Sequence, residues 1–218
     1  MITAFFRLLI IIFEKIIKSW KVKSVSLEFQ EYLYLTLKNK INSIEEKDIK
    51  DIYALSFYIN DEDDDPRFPN LILGFNTIKN MKIEIKNASS KSEAKWNYAY
   101  WLQNELAAIC SEDDIKGRNL WINLLKIKRL HVSNYEIEVD YSEIIENKLD
   151  LIKKHFVNLA IECSKRIHEE GIIRNKFNSD IPIIVHELEY YDEIADQTKL
   201  ANPPKIADEF VKYVNDNT

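Results

Sequence analysis

At 218 residues, with 46% hydrophobic and 30% charged residues, the chain is long enough to bury a sizeable core without disulfide staples and reads as an ordinary soluble globular protein. Its three glycines, Gly74, Gly117 and Gly171, are too scattered for a P-loop or a dinucleotide-binding turn, so the usual nucleotide enzymes are excluded. The net charge of −6 is uneven: residues 1–50 carry nine Lys/Arg against six Asp/Glu, whereas residues 51–218 carry 21 against 30, a body that repels nucleic-acid backbones and attracts basic partners.

Residues 1–22, MITAFFRLLIIIFEKIIKSWKV, contain one uninterrupted apolar run, Leu8 to Phe13. Six helical residues reach about 9 Å, against about 30 Å of hydrocarbon. A wider window brings in Arg7, Glu14, Lys15 and Lys18, so spanning is marginal at best, and no small-residue cleavage site follows the run. On a helical wheel Thr3, Arg7, Glu14, Lys18 and Lys21 fall near one narrow stripe, the pattern of a helix laid into the protein's own groove, a partner or a membrane surface. A second helix is expected from Ser24 or Ser26 to about Ile41, with Phe29, Leu33, Leu37 and Ile41 at four-residue spacing. The chain is therefore divided into a hydrophobic N-terminal helix, 1–22, and a single domain, 23–218.

DIYALSFYI (51–59) and NLILGFNT (70–77) read as buried strands, and the alternation of MKIEIKN (81–87) predicts a half-exposed third. After the helix start NASSKS, the segment EAKWNYAYWLQNELAAIC predicts one long helix with Trp96, Tyr100 and Cys110 along one face. LWINLLKIKRL fits strand or helix, and NYEIEV (134–139) alternates as a strand does. Ser142 opens a long helix that Gly171 closes, DIPIIVHELEY is a strand, and ANPPKIADEFVKYVNDN starts with prolines and continues as a helix with Ile206, Phe210 and Val214 in register. Helices and strands come in blocks, which predicts an α+β fold with a largely antiparallel sheet packed with several long helices.

The acidic run Asp61, Glu62, Asp63, Asp64, Asp65 is the most unusual local feature. Carboxylates at 61, 63 and 65 have the spacing of a calcium loop, but Pro66 stands where that loop needs glycine and Ile72 where it needs glutamate, so no metal is expected. Placed between two strands, the run with Arg67 reads as a solvated connection or a docking surface for a basic partner. Asp65, Glu84 and Lys86 loosely match the carboxylate and lysine spacing of magnesium-dependent nucleases, which supplies an alternative reading as a hydrolase. His131, His155, His168 and His186 lack ligand spacing, Cys110 and Cys163 read as buried thiols, and Trp96 with Trp101 reads as core before it reads as a stacking platform.

Together, IYALSFYINDEDD…LGFNT, SSKSEAKWNYAYW, EEGIIRNKFNSDIPIIVHELEYYD and LANPP resemble a bacterial domain family of unknown function, roughly 200 residues long, found among immunity proteins of secreted or contact-dependent toxins. The resemblance covers about residues 26–214 and includes Trp96, Trp101, Asp180 and Asn202-Pro203. It implies a cytosolic α+β domain and no activity of its own; by analogy with immunity proteins, the leading reading is a non-enzymatic binding protein whose acidic face, including Asp61 to Asp65, docks and neutralises a basic toxin, without cofactor or nucleic acid. A membrane-peripheral protein held by residues 1–20 is a third reading.

Overall fold

Phe29, Leu33, Leu37 and Ile41 share one helical face and are fully buried. In the computed structural model, which describes residues 2–139 and 142–217 and the side chains of 18–137 and 142–217, they belong to one helix, α1 (Ile2–Asn42). It runs straight through the break expected at Ser24 and Ser26. A serine caps a helix only where the chain leaves helical geometry, and the good helix formers around these two, Lys23, Leu27 and Glu28, keep the turn going. The side chains of Thr3, Arg7 and Glu14 in the predicted stripe lie outside the described residues.

The chain continues through α2 (Glu46–Ile49), β1 (Ile52–Asp61), β2 (Pro69–Thr77), α3 (Ile78–Glu84), α4 (Lys91–Trp96), β3 (Ala107–Ile109) and α5 (Ile115–Lys128). It ends with α6 (Asn134–Val139), α7 (Glu143–Glu169), α8 (Ile172–Phe177), β4 (Ile183–His186), α9 (Asp192–Ala201) and α10 (Asp208–Asn215). Among the described residues the strands form one sheet of order β3-β2-β1-β4. The fold is α+β, but the sheet is mixed rather than largely antiparallel. β1 pairs antiparallel with β2 and β2 with β3, whereas β4 runs parallel to β1, with Leu55 opposite Ile183 and Tyr58 opposite His186. A parallel neighbour needs a long crossover, and the stretch containing α7 supplies it.

Three segments differ from the sequence expectation, each for a local reason. Residues 81–87 are not a strand: Asn80 N donates to Thr77 Oγ1 at 3.1 Å, and this N-cap starts α3. Residues 134–139 are helical because Ser133 and Glu136 form a capping box, with Glu136 Oε2 accepting from Ser133 N at 2.8 Å and Glu136 N donating to Ser133 Oγ at 3.2 Å. The long helix predicted after Ser90 stops at Trp96. Lys95 O, which would continue the helical ladder, accepts instead from Trp101 Nε1 at 2.9 Å and from the Tyr53 hydroxyl, while Asn97 Oδ1 caps Ala99 N at 3.0 Å. The ambiguous 120–130 segment is helix α5, closed by Arg129 in the left-handed conformation.

One face of the sheet, with Leu55, Phe57, Leu73, Ile183 and Val185, packs on α1, α5 and α7; at their junction Phe29, Trp121 and Phe156 meet with ring centroids 5.1–6.3 Å apart. The opposite face, with Ala54, Tyr58 and Ile184, packs on Trp96, Tyr98, Trp101, Ile194 and Phe210. The outer edge of β4 is closed by side chains of α9 and the residue after it. Val185 N donates to Thr198 Oγ1 at 3.1 Å, and Val185 O accepts from Gln197 Nε2. Asn202 takes Ile183 N on Oδ1 at 2.8 Å and returns Nδ2 to Ile183 O at 2.7 Å. Across the sheet, Asn104 makes the same double bond to Phe75, at 2.9 and 3.1 Å, and Gly74 admits it: a Cβ there would lie 2.6 Å from Asn104 O. Asn202→Ala strands both buried groups of Ile183 and is expected to cost about 2 kcal/mol in urea unfolding; a loss below about 0.5 kcal/mol would assign the edge to packing alone.

Candidate functional site

β1 and β4 run parallel; β4 ends at His186, opposite Tyr58, while β1 continues to Asp61, and ligand crevices in open sheets form outside such carboxyl ends. There the flanks of α7 and α9 leave two adjoining cavities, about 720 and 250 Å3, that share Lys153, Glu187 and Tyr191. Lys153, from the middle of α7, reaches Glu187 Oε2 at 2.5 Å and Asp61 Oδ2 at 3.8 Å. Seven carboxylates line the two cavities, Asp61, Asp64, Asp150, Glu187, Glu189, Glu193 and Asp196, against only Lys153 and Lys154. With Lys153 committed to ion pairs, the cleft is strongly negative.

The titration of its groups follows from that field. Burial raises the Asp61 carboxyl above the usual range; Lys153 opposes this, while Glu187, Asp65 and Asp64 add to it. Asp61 Oδ1 is buried with no hydrogen-bond partner among the described residues. Desolvation pulls the Lys153 ammonium down, but Glu187 and Asp61 outweigh it and hold its pKa above the ordinary lysine value. Burial, then the carboxylates of Asp61 and Glu187, raises the Tyr58 phenol.

Only part of the acidic run faces this cleft. Asp61 and Asp64 line the smaller cavity, and Asp63 is exposed. Glu62 turns the other way: it pairs with Arg118 and accepts Glu112 N at 2.9 Å. Asp65 is held by Arg67, which lowers its pKa, and Arg67 Nη1 donates to Asn134 Oδ1 at 2.6 Å. Arg67 and Arg118 both sit over the Phe68 ring, at 5.2 and 4.4 Å. Two of the five residues of the run, Glu62 and Asp65, thus fasten the hairpin connection to α5 and α6. The turn is tight, with Asp63 and Asp64 at φ of 54° and 57°, a conformation aspartate tolerates better than most residues.

The alternative set is not gathered. Asp65 stands in the β1–β2 connection, whereas Glu84 ends α3, which departs from the far end of β2 and bonds Asn87, and Lys86 follows it. Among the described residues no group of three or more His, Cys, Asp or Glu side chains is arranged to hold a metal ion. Cys110 and Cys163 are buried thiols, and burial pushes Cys163 up to about 12.

The most enzyme-like pairing was not singled out in the sequence. Ser56 donates to His186 Nε2 at 2.7 Å while His186 Nδ1 donates to Glu187 O at 2.8 Å, which leaves Nε2 as the acceptor. A general base so oriented activates a hydroxyl when substrate can reach it. Here Ser56 is 1% exposed and His186 0%, closed in by Tyr58, Tyr98, Trp101 and Tyr190. Burial lowers His186 to about 4, and the pair fastens β1 to β4 beneath the cleft. Its signal in the sequence is two polar residues inside apolar strands, Ser56 in ALSFY and His186 in IIVHE.

The chain matches no protein-family model, no curated protein and no solved structure. Among the described residues no helix is long and apolar enough to cross a membrane.

Proposed function

We propose that this chain is a non-enzymatic binding protein that captures a basic protein partner, in the manner of an immunity protein or antitoxin, with the acidic cleft as its docking surface. The observation that carries the reading is the excess of carboxylates around two adjoining cavities, the smaller of them lined by Asp61, whose Oδ1 is buried without a hydrogen-bond partner among the described residues. A walled cleft of one sign focuses field lines, so it draws in a Lys- or Arg-rich surface and fixes its orientation. Tyr191, an exposed ring shared by both cavities, adds an aromatic surface suited to a guanidinium or ammonium group. Toxin neutralisation in the cytoplasm is the form of this activity that analogy with immunity proteins suggests.

The test is co-expression with the product of the adjacent gene, scoring growth rescue and co-purification, followed by stopped-flow association at two ionic strengths. Asp150, Glu189 and Glu193 are exposed, so reversing all three to lysine should leave folding intact. The triple variant is expected to associate roughly tenfold or more slowly at low salt, with a flattened salt dependence. An unchanged rate with a genuine partner would remove the cleft from the interface.

A further inference from the structure

A helix of 41 residues is about 60 Å long, and on α1 the first buried position among the described side chains is Val25. Lys18 shares the helical face of Val25 and Phe29, yet it is exposed, so the body ends between 18 and 25 along that face. Residues 2–17 continue the same helix past that point. At the emerging stretch Trp20 is 76% exposed, whereas Trp96, Trp101 and Trp121 are buried. Lys18, Lys21 and Lys23 surround it, and with Lys128 of α5 two of them line a groove of about 550 Å3 floored by Val22 and Leu27.

We propose that this end of α1 binds the surface of an anionic lipid bilayer, lying along it rather than crossing it. Residues 1–27 carry five Lys/Arg against the single Glu14, in a segment otherwise rich in Phe, Ile and Leu. Apolar residues for the acyl boundary, a tryptophan for the headgroup level and lysines for lipid phosphates are the three chemistries of an interfacial helix. The charge also selects among occupants. A second copy docked side by side would set Lys18, Lys21 and Lys23 against their equivalents, whereas an anionic leaflet neutralises them. The acidic body, repelled by the same leaflet, is held clear of the surface.

The experiment uses the full chain with phosphatidylcholine vesicles, with and without about 30% phosphatidylserine. Sedimentation is expected to give at least a roughly tenfold preference for the anionic vesicles, weakened by salt. Brominated lipid should quench a tryptophan component that Trp20→Phe removes. The variant Lys18→Glu/Lys21→Glu/Lys23→Glu changes only exposed side chains; it should keep the parent melting temperature and lose roughly tenfold in partitioning. Absence of binding at low salt, full binding by the triple variant, or a dimer that keeps Trp20 unquenched beside anionic vesicles would each overturn the proposal.

Discussion

Phe29→Ala is expected to lower the free energy of unfolding by about 3–5 kcal/mol. Phe29 is fully buried where α1 meets α5 and α7, in contact with Trp121 at 5.3 Å and Phe156 at 6.3 Å between ring centroids. Removing the ring loses its transfer free energy and opens a cavity that two large, rigid neighbours cannot collapse into. The control lies nine residues earlier on the same helix: Trp20→Ala should change stability by less than about 0.5 kcal/mol. Urea denaturation of both variants decides the matter. If Trp20→Ala were as damaging as Phe29→Ala, the first half of α1 would be part of the folded body, and the account of its emergence would fail.

A steep loss of stability between about pH 6.5 and pH 4 is the second large effect. His186 is held neutral by burial at a pKa of about 4, while in the unfolded chain it titrates near the ordinary imidazole value. Its folded pKa is depressed, so the unfolded chain takes up the proton first. The stabilisation is complete above the unfolded pKa and drains away as pH falls toward the folded one. One fully buried histidine loses about 1.4 kcal/mol for each pH unit, about 3 kcal/mol by pH 4. His155, stacked on Trp121 and also lowered to about 4, acts in the same direction, as does His168. Asp61, whose carboxyl is raised by burial, works against them by favouring proton uptake in the folded state. Urea midpoints at pH 7 and pH 4.5 test the balance, and His186→Asn should reduce the slope by close to one proton. A pH-independent midpoint across that range would mean that water reaches the imidazole.

The elements that could be read from the residues are those that bury both faces or carry strong punctuation. IYALSFYI and NLILGF are apolar apart from Ser56 and Asn70, as strands covered by helices on both sides must largely be, and α7 lies between Ser142 and the left-handed Gly171. The misread segments were short, with alternation over only a few residues. There a single cap outweighs periodicity: Thr77 turns MKIEI into helix, and the Ser133–Glu136 box does the same for NYEIEV. The early end of α4 could not be seen, because it depends on an indole five residues beyond Trp96 competing for Lys95 O. The cleft was hidden for a different reason. Its central ion pairs join Asp61, Lys153 and Glu187, from three distant parts of the chain, and only the parallel placement of β4 beside β1 brings them together. The acidic run marked the right neighbourhood, yet Glu62 and Asp65 are spent on Arg118 and Arg67.

The asparagine seals on the sheet decide how a partner can be read. An extended peptide normally gains affinity from an open sheet edge by adding a strand, with main-chain bonds that are indifferent to its sequence. At β4 the outward groups of Ile183 and Val185 are already taken by Asn202, Thr198 and Gln197, and Asn104 occupies Phe75 beyond the short β3. Strand addition is closed at these positions, to ligands and to aggregating copies alike. Whatever enters the neighbouring cleft must be recognised through its side chains, which makes discrimination a matter of charge and shape rather than of backbone.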